Sequence, residues 1–248
     1  MNLFDLTNKT VLITGASSGL GERAAKVVSK AGARVVLAAR RIDKLHFLAK
    51  EIGNAVPMKM DITNNKDIIS VFDKLNQLEV KIDVCINCAG VADATPIFDK
   101  DEDNNFEKII QTNLIGGWNL IKNVATHMKN NNIKGSIITI GSINGDMFPA
   151  YSATAYSVSK AAVIHMTKVL VKELAPFKIR INTISPGYFK TEMTKEISNA
   201  KDLIQRIPLG YVADPSDLDG AILFLSSNQA SAYMTGSCLT IDGGISWS

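Results

Sequence analysis

Short β-rich runs alternate with longer helical stretches along this chain, and few folds accept that order. Thr10–Thr14, Arg34–Ala39, Ala55–Asp61, Val84–Asn87, Ser136–Gly141, Ile179–Ser185 and Cys238–Asp242 read as strands. Helical spacing marks Glu22–Lys30, Lys44–Ile52, Asp67–Leu78, Ala153–Leu174 and Asp217–Leu225. A long helix is predicted from about Asp103 to Lys129, with Leu114, Trp118, Ile121, Ala125 and Met128 on one face. Such alternation predicts an α/β fold: a single-domain, Rossmann-type, doubly wound parallel sheet of about seven strands, with helices on both faces. Connections should be right-handed. Ligands should bind beyond the carboxyl ends of the strands, where strand order reverses.

A chain of 248 residues fits one such domain, 1–248, and shows no repeat or linker. A net charge of +3 is too small to argue for nucleic acid, and no basic stripe is interleaved with aromatics. No apolar run is long enough to span a membrane. Met1-Asn2-Leu3-Phe4-Asp5-Leu6-Thr7 lacks a basic segment followed by an apolar one, so a cytoplasmic location is expected.

The three cysteines, Cys85, Cys88 and Cys238, give no disulfide framework. Cys85 and Cys88 have the C-x-x-C spacing, but they end a strand and should point to opposite faces. With no second ligand pair, no metal site is expected. Asp99–Asp103 reads as a solvated acidic run suited to a helix start.

Gly15-x-x-x-Gly19-x-Gly21 follows the first strand and opens a helix. Glycines there permit a tight turn and close approach of backbone to phosphate. At the end of the second strand a carboxylate would bond a ribose 2′-hydroxyl and favour NAD, whereas a cation favours the 2′-phosphate of NADP. Here the acidic position is Ala39, and Arg40 and Arg41 follow it. Guanidinium matches phosphate geometry, so NADP(H) is favoured over NAD(H). The bland alternative is a solvated strand end. Ser18 in the glycine turn is not basic, so it adds no second cation. Asp61, before Ile62, ends the third strand and is a candidate acceptor for the adenine amino group; the alternative is a turn residue.

Tyr156 and Lys160 lie one helical turn apart. A tyrosine near its ordinary pKa of roughly 10 is a poor base at neutrality. The lysine charge should favour the phenolate and lower that pKa. Tyr156 could then give a proton to a carbonyl oxygen, or take it back.

These segments together resemble the short-chain dehydrogenase/reductase family over nearly the whole chain. Thr14 to Gly21, including Ser17, Ser18 and Leu20, resembles its Thr-Gly-x-x-x-Gly-x-Gly cofactor motif. Asn87-Cys88-Ala89-Gly90 resembles its Asn-Asn-Ala-Gly segment, with Cys88 a departure. Asn113, Ser142, Tyr156 and Lys160 match four catalytic positions. The resemblance implies proton relay for Asn113, orientation of the substrate oxygen for Ser142, acid/base work for Tyr156, and pKa control with a ribose bond for Lys160. Pro186, Gly187 and Thr191 match the segment that holds the nicotinamide carboxamide. The interval from Ser142 to Tyr156 is one residue longer than the family's commonest, and position 143 is Ile. Tyr151 is a rival tyrosine without a lysine partner, since position 155 is Ala. His46, His127 and His165 fall outside any motif.

The resemblance implies a small-molecule carbonyl or alcohol substrate and a substrate lid at about 188–208. Phe148, Tyr151 and Ile197 belong to the expected substrate walls. It extends to 3-oxoacyl-thioester reductases and, through Phe4-Asp5-Leu6-Thr7 and the stretch Pro186 to Thr194, to gluconate 5-dehydrogenases. It also implies a homotetramer joined through the helices that carry Trp118 and Tyr156. A dinucleotide-binding regulator without turnover is the reading of another class.

Overall fold

Unbroken burial along the central strands places side chains on both faces of one sheet in the core. The computed structural model describes residues 2–100, 104–147, 152–195 and 201–248. Its strands are β1 Thr10–Thr14, β2 Arg34–Ala39, β3 Ala55–Lys59, β4 Val84–Asn87, β5 Ser136–Ile140, β6 Arg180–Pro186 and β7 Cys238–Ile241. They form a seven-stranded sheet in the order β3-β2-β1-β4-β5-β6-β7. Every pairing is parallel. Strand order reverses between β1 and β4, as the alternating pattern predicts.

The helices are α1 Gly19–Lys30, α2 Ile42–Ile52, α3 Asn65–Gln77, α4 Asn105–Ile110, α5 Gly117–Asn130, α6 Thr154–Leu174, α7 Lys201–Arg206, α8 Asp219–Ser226 and α9 Asn228–Ser231. On one face of the sheet, Val11, Ile13, Val35, Leu37 and Ile86 pack with Ala24, Val28, Leu45, Ile222 and Leu225 from α1, α2 and α8. On the other, Leu12, Val36, Cys85, Ile137 and Ile181 pack with Ile68, Phe72, Leu120, Val124, Leu170 and Leu174 from α3, α5 and α6. Val11, Leu12 and Ile13 are fully buried. Each contributes about 1.5–3 kcal/mol by leaving water. Helix α3 starts where Asn64 accepts a bond from the Lys66 amide at 3.1 Å.

One predicted element differs. The long helix is broken by a π turn over Gln111–Gly116, between α4 and α5; Asp103 lies outside the described residues. The wider turn carries an extra residue, which rotates the register downstream. The buried face of α5 therefore runs through Leu120, Ile121, Val124 and Met128. Trp118, expected beside Ile121, is 41% exposed. Gly116 sits in the π turn because a Cβ there would meet the Ile62 carbonyl oxygen at 2.7 Å.

Candidate active site

A cavity of about 470 Å³ opens above the carboxyl ends of the strands, at the point of order reversal. Its floor begins at the glycine turn. Gly15 has φ +66°, and a Cβ there would lie 2.8 Å from the Ala89 amide nitrogen. A Cβ on Gly21 would lie 2.4 Å from the Gly15 carbonyl oxygen. The turn therefore folds tightly against the strand end only with these glycines. Ser18 caps α1 with extended backbone but makes no side-chain bond to the helix. The first amides of α1 thus face the cavity without a capping oxygen, an arrangement suited to an anion. Gly15, Ser17, Ser18, Gly19, Leu20 and Gly21 all line the cavity. The turn fits the phosphates of a dinucleotide.

The turn is tied to β4 through two register-paired residues. The Thr14 hydroxyl donates to Asn87 Oδ1 at 2.6 Å and accepts from the Ala89 amide at 3.3 Å. Asn87 stands behind the wall, whereas Ala89 and Gly90 line it. A Cβ on Gly90 would come 3.5 Å from Lys160 Nζ, so this position keeps the wall thin beside the lysine.

The end of β2 supplies the cationic rim. Arg40, Arg41, Asp61 and Ile62 line it. Arg41 bonds Ser17 Oγ through Nε at 3.1 Å and Ser18 Oγ through a terminal nitrogen at 2.6 Å. Ser18, not basic, thus positions the cation. Asp61 accepts from the Thr63 amide and hydroxyl. Burial raises its pKa, but the Thr63 bonds and the Arg40 charge outweigh this and leave it below the ordinary value.

Ser142, Tyr156 and Lys160 share the opposite wall. Ser142 ends the loop after β5, and its Oγ accepts from the Asn144 amide at 3.2 Å. Lys160 donates to the Ile140 carbonyl at 2.8 Å. Its Nζ lies over the Tyr156 ring, 5.6 Å from the centroid. Burial lowers the Lys160 pKa to about 8. Burial raises that of Tyr156, opposed by a hydrogen bond from Ser142 and reinforced by neighbouring Tyr188. This differs from the expected lowering: burial outweighs the help, and the lysine charge acts on the ring face.

Asn113 sits in the π turn, behind the cavity wall. Its amide donates to Val91 O at 2.9 Å and to Ser159 Oγ at 3.0 Å, and accepts from Val91 N at 2.8 Å. Ser159 passes the link to the Tyr156 carbonyl at 2.7 Å. Asn113 therefore braces the loop after β4 against α6. Sequence reasoning missed Ser159, and its place between Tyr156 and Lys160 on α6 was the available signal.

Pro186, Gly187 and Thr191 complete the rim. Beyond them, Glu192 reaches back to the start of α2. Its carboxylate pairs with Arg41 at 3.2 Å and Lys44 at 3.0 Å. No sequence pattern signals that bridge. Tyr188, Leu203 and Ile204 pack against Ile143, Ile207, Val212 and Ile245 in a separate apolar cluster that includes the residue after Ser142. Phe148, Tyr151 and Ile197 lie outside the described residues. Cys85 and Cys88 face opposite sides of the sheet, as predicted. Burial pushes the Cys88 thiol up to about 12. Among the described residues, no acidic, histidine and cysteine group could hold a metal, and no helix is long and apolar enough to cross a membrane.

The arrangement joins a glycine turn suited to a dinucleotide to a wall that carries Ser142, Tyr156 and Lys160. A family described as "Enoyl-(Acyl carrier protein) reductase" matches residues 15–246. The 3-oxoacyl-[acyl-carrier-protein] reductase FabG of Thermotoga maritima is 36% identical over 248 residues, covering 97% of this chain and 98% of the relative. A short-chain type dehydrogenase/reductase from Mycobacterium marinum superposes with a TM-score of 0.93 at 37% identity, covering 100% of this chain and 99% of the other. A gluconate 5-dehydrogenase from Burkholderia cenocepacia, in complex with NADP and tartrate, gives 0.94 at 28% identity, covering 100% and 98%. Since these likenesses run through the sheet, the glycine turn and the tyrosine–lysine helix alike, the chain belongs to the short-chain dehydrogenase/reductase family of oxidoreductases.

Proposed function

We propose that this oxidoreductase interconverts a carbonyl and a secondary alcohol with NADP(H), and that a 3-oxoacyl thioester is its substrate class. The observation that carries the reading is one cavity with Ser142, Tyr156 and Lys160 on one wall and Arg40 and Arg41 at the other end. Gly15, Ser17, Ser18, Gly19, Leu20 and Gly21 hold the pyrophosphate. Arg40 and Arg41 hold the 2′-phosphate, with Asp61 and Ile62 at the adenine. Asn87, Ala89, Gly90, Pro186, Gly187 and Thr191 shape the nicotinamide end.

When bound, the nicotinamide supplies or accepts the hydride. Ser142 orients the substrate oxygen. Tyr156, kept protonated by burial, gives its proton to that oxygen in reduction. Lys160, with its pKa near 8, is poised to return a proton and to bond the nicotinamide ribose. Asn113 serves the relay from behind, by holding α6 and the loop after β4.

The FabG relative supports the thioester reading, as does the apolar cluster that Tyr188, Leu203 and Ile204 form with Ile143, the residue after Ser142. The gluconate 5-dehydrogenase neighbour favours a second reading, a keto-sugar acid. The stretch from 188 to 208 acts as the substrate lid of a single catalytic domain. The exposed Trp118 and Val158, on α5 and α6, are consistent with a homotetramer joined through those helices. A cytoplasmic location accords with this reading.

Initial rates of NADPH and NADH oxidation with an acetoacetyl thioester, 5-ketogluconate and a simple diketone test the proposal. Thioester turnover with NADPH preference upholds it. Turnover of the keto-sugar acid alone moves the enzyme to the second reading. Binding of either cofactor without turnover of any substrate favours the regulator.

A further inference from the structure

We infer that Glu192 is a specificity-determining residue. Its carboxylate sits on the cations that serve the cofactor's 2′-phosphate and must leave them for NADP(H) to bind. The inference rests on the NADP(H) reading above.

The two carboxylate oxygens engage different cations. Oε2 meets Arg41 at 3.2 and 3.3 Å, and Oε1 meets Lys44 at 3.0 Å. Arg41 is held on its other side by Ser17 and Ser18 of the glycine turn, so its fork stays at the cavity rim. Glu192 lines that same cavity. It is therefore a resident anion where a phosphate would sit. Ala39 leaves the end of β2 without a carboxylate, and the segment after β6 provides one instead.

The mounting is firm but the contact is weak. Phe189 is buried, and its carbonyl accepts from the Thr194 hydroxyl. The Thr191 side chain lies 3.5 Å from where a Gly19 Cβ would be. Glu192 itself is 60% exposed, so its ion pairs are screened and it can swing into water. A phosphate dianion binds a guanidinium more strongly than a monoanionic carboxylate does. NADP(H) thus has to displace Glu192, whereas NAD(H), without a 2′-phosphate, does not. Glu192 accordingly narrows the preference between the two cofactors.

Calorimetric titration with adenosine 2′,5′-bisphosphate and adenosine 5′-monophosphate tests this without turnover, since the two ligands differ only at the 2′ position. Glu192→Gln should tighten the bisphosphate about two- to tenfold and leave the monophosphate unchanged. The gain should shrink with added salt. Equal changes for both ligands, or a weaker bisphosphate, would overturn the inference. Wild-type protein that favours the bisphosphate, with no change in Glu192→Gln, sinks the Glu192 role alone. Wild-type protein that holds both ligands equally sinks the NADP(H) reading, and this inference with it.

Discussion

The Lys160 ammonium nitrogen lies 5.6 Å from the centre of the Tyr156 ring, one helical turn along α6. Burial drives both groups toward their uncharged forms: the tyrosine pKa rises and the lysine pKa falls to about 8. The two shifts move the groups apart from nearly equal starting values, 10.0 for the tyrosine and 10.5 for the lysine, and leave the lysine the stronger acid. A tyrosinate formed at the end of reduction therefore takes a proton from Lys160 downhill, and that order comes from burial rather than from the lysine charge.

Tyr156→Phe keeps the ring and its packing but removes the only proton it could exchange. Turnover should fall by about 10²–10⁴-fold. Cofactor affinity, measured by fluorescence titration, should change little. Unchanged turnover would show that another group supplies the proton.

Lys160→Met should stabilise the protein while abolishing turnover. The folded-state pKa, about 8, lies below the ordinary lysine value of 10.5. The unfolded chain therefore binds more protons between those values, and wild-type stability rises with pH there. Below about pH 8 the full cost of burying the charge is present. Loss of the bond to Ile140 O offsets part of the gain. A net gain of about 1–3 kcal/mol corresponds to roughly 2–6 °C in melting temperature. The difference between variant and wild type should narrow as pH rises above 8. A lower melting temperature for the variant at pH 7 would contradict this account.

Much of this was legible in the residues, because the relevant patterns are local. The unbroken apolar run Val11-Leu12-Ile13 encodes a sheet buried on both faces. The tyrosine–lysine interval encodes a shared helix face. The π turn was not legible, since Gln111 to Gly116 carries ordinary helical residues and the turn accommodates Gly116 beneath the Ile62 carbonyl. The direction of the Tyr156 shift was not legible either, because it comes first from burial among walls distant in sequence and then from the charge of neighbouring Tyr188. Glu192 pairs with Arg41 across 151 positions, beyond the reach of any spacing rule.

Arg41→Ala should separate the two cofactors. A charge-assisted bond to phosphate is worth about 1.5–3 kcal/mol. The KM for NADPH should therefore rise by roughly ten- to a hundredfold, with little change for NADH. Steady-state rates with each cofactor check this. Equal rises for both would mean that Arg41 holds the glycine turn through Ser17 and Ser18 and does not read the 2′-phosphate.

Ser159→Ala tests whether the brace behind the site matters to the chemistry. Ser159 lines no part of the cavity, yet its hydroxyl accepts from Asn113 and donates to the Tyr156 carbonyl. Removing it strands one buried amide hydrogen of Asn113, at a cost of about 1–3 kcal/mol. Stability should fall by that amount in denaturant titration. Turnover should fall as well, because the loop after β4 and α6 lose their link and Tyr156 sits on the freed turn. The KM for cofactor should stay near wild type, since the glycine turn is tied to β4 separately through Thr14 and Asn87. Ser159→Thr, which keeps the hydroxyl, should recover part of the turnover. Loss of stability with full turnover would make the brace structural only, and would remove Asn113 from any part in positioning Tyr156.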